Sequence, residues 1–264
     1  MFDIPIITYH KISNEKEFGL TTVSQSQFAR QMDYLNSNGY KSICFNQLDS
    51  KNYLPEKPVI ITFDDGYESV YKNAVPILDT FRFKSVVFIV SSFLGKLNHW
   101  EAVSFQQQFK HLSKDQILKL RDMGHEIGSH GKMHTYLPKL DNMALREEIE
   151  GSKADLEDIL GEEINSFCYP YGRYTKRVLS FVEKAGYRYA TTNPKLYNGI
   201  LNPLSITRRS IYSTDSLASF IKKLSSPPHL NLTLLAEIII QKGALASIGM
   251  NLLRKVKSQF LLDI

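Results

Sequence analysis

Residues 59–66 read Val59-Ile60-Ile61-Thr62-Phe63-Asp64-Asp65-Gly66, an apolar, β-branched run that stops at two adjacent carboxylates and a glycine. Such a run reads as a buried strand, and the acidic residues fall where it turns. Adjacent side chains on a strand point to opposite sides, but a turn at its end can bring both to one pocket. Two carboxylates this close resist joint ionisation at neutral pH unless a cation compensates them. A metal ion answers that conflict: one carboxylate ligates it and the other stays free to take a proton. The competing reading is a solvated Asp-Gly turn, which would win if the motif stood alone.

Outward from this strand, short apolar runs alternate with helical patterns. Strands are expected at 4–9, 42–45, 85–90, 126–129, 166–169, 189–192 and 207–212. A helix is expected over 27–38, with Phe28, Met32 and Leu35 on one face and Gly39 as its stop. Others follow the acidic turn as far as Leu78 and occupy 114–123, 143–160 and 176–184, the last three stopped by Gly124, Gly161 and Gly186. Strands alternating with such helices argue for an α/β fold of parallel βα units, and seven or eight of them favour a (β/α)7–8 barrel over an open sheet. The barrel domain is expected over residues 1–224. Ser225-Ser226-Pro227-Pro228 then punctuates the chain, and a helical C-terminal extension is expected over 225–264. Leu252, Leu253, Val256 and Phe260 lie at helical spacing there beside Arg254, Lys255 and Lys257. Packing on the barrel exterior is the favoured role, with peripheral membrane contact the alternative.

Composition narrows the class. With 264 residues, 43% of them hydrophobic, the chain can bury a large core, and disordered, collagenous and disulfide-scaffold readings fail. Lys plus Arg exceeds Asp plus Glu by 32 − 27 = 5, without the concentrated basic stripe that nucleic-acid binding needs. Cys44 and Cys168 make no disulfide framework. No signal-peptide pattern opens the chain, and no apolar run reaches about 18 residues. The expected location is therefore cytoplasmic, at most touching the inner face of a membrane through the tail. Oligomeric state is left open.

A second motif strengthens the first. Gly124-His125-Glu126-Ile127-Gly128-Ser129-His130-Gly131-Lys132-Met133-His134 sets two histidines four residues apart. Gly128 and Gly131 argue against a helix, so a strand ending near His130 and a loop returning His134 is the better placement. Two imidazoles and one carboxylate, with positions left open for water and substrate, suit one catalytic divalent metal ion. Zinc is the first expectation, and cobalt and nickel also suit the set.

Thr62-Phe63-Asp64-Asp65-Gly66, His130-x-x-x-His134 and Tyr169-Pro170-Tyr171-Gly172 occur in an order that resembles the NodB-type polysaccharide deacetylases, carbohydrate esterase family 4. The resemblance spans roughly residues 4–212 and implies a distorted (β/α) barrel with its site at the C-terminal strand ends. It implies Asp65, His130 and His134 as metal ligands and Asp64 as the base that deprotonates water. It also implies Tyr171 as the backbone N–H that steadies the oxyanion, beside the substrate. The implied substrate is an N-acetylated amino sugar, glycan or glycan precursor. Hydrolysis of non-sugar amides on the same site is the alternative, and an inactive glycan- or partner-binding barrel is a weaker one.

Three departures bear on the reading. Cys168 stands where much of the family has an arginine tethering the base, and Gly131 where many members have Ser or Thr. No general-acid histidine follows Tyr171 in the usual late strand, and His229, after Pro227-Pro228, is unsuitable. Ile6-Ile7-Thr8-Tyr9-His10 is similar to the first strand of the poly-N-acetylglucosamine deacetylase subgroup, which nominates His10 as the general acid; a buried or capping histidine is the competing reading. For the missing tether, Ile206-Thr207-Arg208-Arg209-Ser210-Ile211 offers Arg208 ahead of Arg209, with surface exposure of both as the alternative. Trp100, beside Glu101, is a candidate for stacking on a sugar face or for capping the core. Nothing calls for Cys168 as a nucleophile.

Overall fold

The structure is a computed structural model that describes residues 4–15, 19–48, 54–98, 108–193 and 202–224. The expected helical extension at 225–264, Trp100 and Glu101 lie outside the described residues. The apolar run forms β5 (Pro58–Phe63), with the acidic pair directly after its end, and β5 pairs in parallel with β1 (Ile6–Tyr9) on one side and β6 (Val86–Ile89) on the other. Beyond β6 the path continues through β7 (Glu126–Ser129), β8 (Ser166–Cys168) and β9 (Tyr189–Thr192) to β10 (Ile206–Thr207). At the other end β1 pairs with β11 (Arg209–Ser210). Arg208 alone separates β10 from β11, so one segment joins both ends of the path and closes the sheet into a barrel.

The closure is uneven. β8 meets β7 through one residue pair, Ser129 with Phe167, and β4 (Lys41–Ser42) joins β5 only at Pro58 and Val59. A separate two-stranded ladder of β2 (Lys11–Ile12) and β3 (Thr22–Val23) lies off the barrel path. The expected parallel barrel is therefore present in distorted form. The strand expected at 207–212 is short and broken at Arg208.

Period-two alternation sorts the strand residues into two packed layers. Ile6, Ile60, Val86, Phe88, Cys168, Tyr189 and Ile206 form the inner cluster, with Phe45 stacked on Tyr189 at 5.7 Å between ring centroids. Gly128 belongs to this interior: a Cβ there would meet the Phe88 ring and Ser166 Oγ at 2.6 Å. Ile7, Tyr9, Ile61, Phe63, Val87, Ile89 and Phe167 face outward into the larger cluster under the helices.

Those helices are α1 (Gln25–Ser37), α2 (Val75–Thr80), α3 (Lys114–Asp122), α4 (Asn142–Arg146), α5 (Ser152–Leu160), α6 (Lys176–Lys184) and α7 (Leu217–Leu224). Ser24, Ser113, Asp141 and Thr175 cap the starts of α1, α3, α4 and α6 with side-chain oxygens. Gly161 ends α5 at φ 68°, the left-handed stop its position suggests. The helix expected over 143–160 is interrupted by a π-helical turn, Glu147–Gly151, between α4 and α5. α7, not expected from the pattern, packs Phe220 and Leu224 on the core. Among the described residues no helix is long and apolar enough to cross a membrane.

One buried histidine should make the barrel acid-sensitive. The Ser85 backbone N–H donates to His125 Nδ1 at 3.1 Å, so that nitrogen must keep its lone pair. Burial, reinforced by Lys84, lowers the His125 pKa to about 4. The unfolded chain takes up this proton near pH 6.5, roughly, whereas the folded one resists it, so stability falls as pH drops from that value toward 4. Urea midpoints across this window should decline. His125→Asn, which keeps an acceptor but no titrating ring, should flatten the upper part of the decline; an unchanged slope would clear His125 as its source.

Candidate metal centre and active site

Asp64 continues the inward alternation of β5, and its backbone N–H donates to the Tyr9 carbonyl at 2.9 Å, extending the β1–β5 ladder. Its carboxylate meets Arg208 in a two-pronged pair, Nη1 to Oδ1 and Nη2 to Oδ2, both 2.7 Å. Arg208 is 1% exposed and also donates to Thr62 Oγ1 at 3.0 Å and Thr8 Oγ1 at 3.1 Å. Its guanidinium lies 5.5 Å from the centre of the Phe88 ring. Burial pushes the Asp64 carboxyl up, but the Arg208 charge and its hydrogen bonds outweigh that and hold it well below the usual carboxylate range. Part of the counter-charge demanded by two adjacent carboxylates is thus supplied by the protein.

Asp65 leaves the strand direction. Its φ of 69° is left-handed, and Gly66 follows at φ 68°, where a Cβ would meet Ile89 Cδ1 at 2.8 Å. The turn brings Asp65 Oδ1 to 3.5 Å from His130 Nε2 and 3.3 Å from His134 Nε2. A tetrahedral ion with bonds of about 2.0–2.1 Å sets its ligand atoms about 3.3 Å apart, so the spacing fits a shared metal. His130 Nδ1 lies 2.7 Å from the Cys168 carbonyl, which can only accept; that nitrogen carries a proton, so in the neutral ring Nε2 is the nitrogen with the lone pair a metal needs. Burial, then the neighbouring His130, keep the His134 pKa well below its usual value, which favours the neutral, ligating ring.

Asp64, His130 and Cys168 also lie close enough to hold an ion. Arg208 sits 2.7 Å from Asp64 and 3.1 Å from Cys168 Sγ, and its fixed positive charge disfavours a cation there. The Asp65, His130 and His134 group is the candidate metal centre. The Cys168 thiol, its pKa pushed well up by burial, stays protonated and is no nucleophile.

Tyr171 stands in the turn after β8 at φ 58°, ψ 11°, its ring 4.7 Å from the His134 ring. Among the described residues four non-glycines adopt positive φ, and three of them, Asp65, His134 and Tyr171, meet at this mouth. Each such conformation costs about 1–3 kcal/mol and persists only where its surroundings impose it, typically at functional sites. His10, directly after β1, acts electrostatically on both Asp64 and His134. Arg209 is buried on β11.

Two buried side chains outside every motif also touch this region. His111 Nδ1 lies 2.8 Å from the Asp65 carbonyl oxygen. Glu148 accepts from the backbone N–H groups of Lys132 and Met133, in the loop between the paired histidines. Glu148 had a signal: it shares the core-facing spacing of Leu145, Ser152 and Leu156, where a carboxylate needs a reason. His111 had none.

The polysaccharide deacetylase family profile matches residues 51–190, more than half of the 264-residue chain. The chain belongs to the polysaccharide deacetylase family. Over 193 residues this deacetylase-family chain is 28% identical to YxkH of Bacillus subtilis, covering 72% of its own length and 64% of that protein. It is 27% identical over 182 residues to a poly-beta-1,6-N-acetyl-D-glucosamine N-deacetylase of Staphylococcus aureus, covering 67% and 63%. The chain thus spans slightly less than two thirds of these relatives. The crystal structure of BC0361, a polysaccharide deacetylase from Bacillus cereus, superposes with a TM-score of 0.71 at 26% identity, over 84% of this chain and 68% of that one.

Proposed function

We propose that this polysaccharide deacetylase-family chain is a metal-dependent hydrolase that removes N-acetyl groups from an amino sugar within a glycan or glycan precursor. The observation that carries the reading is the division of labour between adjacent carboxylates: Asp64 is locked to Arg208, while Asp65 faces two imidazoles. A divalent ion held by Asp65, His130 and His134, zinc by preference, would acidify a bound water and polarise the acetamide carbonyl. Asp64, oriented by Arg208, accepts the proton of the attacking water. The Tyr171 backbone N–H donates to the developing oxyanion. His10 hands a proton to the departing nitrogen as the C–N bond breaks, leaving acetate and a free amine. The kinship with a protein named as a poly-beta-1,6-N-acetyl-D-glucosamine N-deacetylase supports an N-acetylglucosamine polymer as substrate.

Acetate release from N-acetylglucosamine oligomers tests the reading. Activity should vanish on chelation and return with zinc or cobalt. Turnover that survives complete metal removal, or cleavage of non-sugar amides alone, would overturn it. His10→Ala should lower kcat roughly 10²–10⁴-fold with metal content unchanged; near-normal turnover would remove His10 from the mechanism.

A further inference from the structure

Two of the three proposed metal ligands, Asp65 and His134, sit on left-handed backbone at φ 69° and 55°. Neither is a glycine, so something other than local preference must hold each in place. At Asp65 the neighbouring segment does so. Glu68 N–H donates to the Lys110 carbonyl and Leu112 N–H to the Gly66 carbonyl, each at 2.8 Å, which lays residues 110–112 antiparallel against the acidic turn. His111, 1% exposed, stands in the middle of that clamp. Its ring packs against Tyr67 at 4.9 Å and Phe93 at 5.6 Å between centroids. Its Nδ1 lies 2.8 Å from the Asp65 carbonyl oxygen, and because a carbonyl only accepts, the ring nitrogen donates.

The loop carrying His134 has a corresponding support. Glu148, 5% exposed at the π-helical turn, reaches back to Lys132 N at 3.0 Å and Met133 N at 3.1 Å. A Cβ at Gly131 would lie 2.9 Å from Glu148 Oε2, so the glycine that departs from the family pattern leaves the room this carboxylate needs. Each contact reaches backbone beside or at a ligand rather than the ligand's own side chain.

We propose that His111 and Glu148 are positioning residues that hold Asp65 and His134 in their left-handed, metal-ready conformations. The proposal rests on the ligand assignment made above. His111→Phe keeps the ring between Tyr67 and Phe93 and removes the donor; His111→Asn drops the ring and keeps an N–H at the Nδ1 position. A positioning role and a packing role therefore predict opposite orders.

The test is the zinc dissociation constant of the full chain, measured by competition with a chromogenic chelator and supported by the visible spectrum of the cobalt form. His111→Phe and Glu148→Leu should weaken zinc binding roughly 10–100-fold and perturb the cobalt bands. His111→Asn should stay near wild type, and Glu148→Gln, with one acceptor oxygen left, should fall between. Wild-type affinity in both His111→Phe and Glu148→Leu, or His111→Asn weaker than His111→Phe, would overturn the proposal while leaving the ligand assignment standing. A wild-type chain that binds no zinc would remove the assignment and this proposal together.

Discussion

Arg208→Met should destabilise the metal-stripped protein by about 3–5 kcal/mol, because it strands the buried Asp64 carboxylate without its partner. The pH dependence identifies the cause. In the native protein Asp64 is held below its unfolded value, so its contribution is full above roughly pH 3.9 and is lost as pH falls through the folded value. Without Arg208, burial is the leading influence, opposed only by the weaker pull of His130 and His10, and raises the carboxyl. Its protonated form then becomes the favoured one, and the variant loses stability as pH rises through the raised value. The gap between the two proteins in urea midpoint should therefore be widest near neutrality, narrow as pH falls through the raised value, and narrow further below about pH 4. A gap independent of pH would assign the loss to packing of the long side chain rather than to the ion pair.

Asp64→Asn should lower acetate release by roughly 10²–10⁴-fold, the range for removing a general base. Metal content should stay at the wild-type level, since Asp65, His130 and His134 are untouched. The variant leaves Arg208 buried and unpaired, so it should also unfold at lower urea. Combining Asp64→Asn with Arg208→Met should recover part of that stability and none of the activity, which separates the structural and catalytic parts of the pair. Loss of bound metal in Asp64→Asn would instead make Asp64 a ligand.

Much of this architecture is legible in the sequence because parallel strands buried on both faces leave continuous β-branched runs, as at Val59–Ile61 and Val86–Val87. The acidic turn is legible because it ends such a run, and the histidine pair because His130 directly follows the next-but-one strand, β7, so topology gathers them at one mouth. Arg208 could be nominated only as a missing counter-charge. Its direction was hidden because the strand breaks at that very residue, leaving too little alternation on either side to tell interior from surface. The π-helical turn at Glu147–Gly151 was equally hidden, since one extra residue per turn leaves the apolar spacing nearly unchanged. His111 reaches Asp65 through a tertiary contact across 46 positions, which no local pattern encodes.

Metal counting on the purified chain tests the central claim most directly. After dialysis against zinc and removal of free ion, elemental analysis should find one zinc per wild-type chain and far less than one in Asp65→Ala and in His134→Ala. A wild-type chain that retains no zinc, or single-ligand variants that hold as much as wild type, would contradict it.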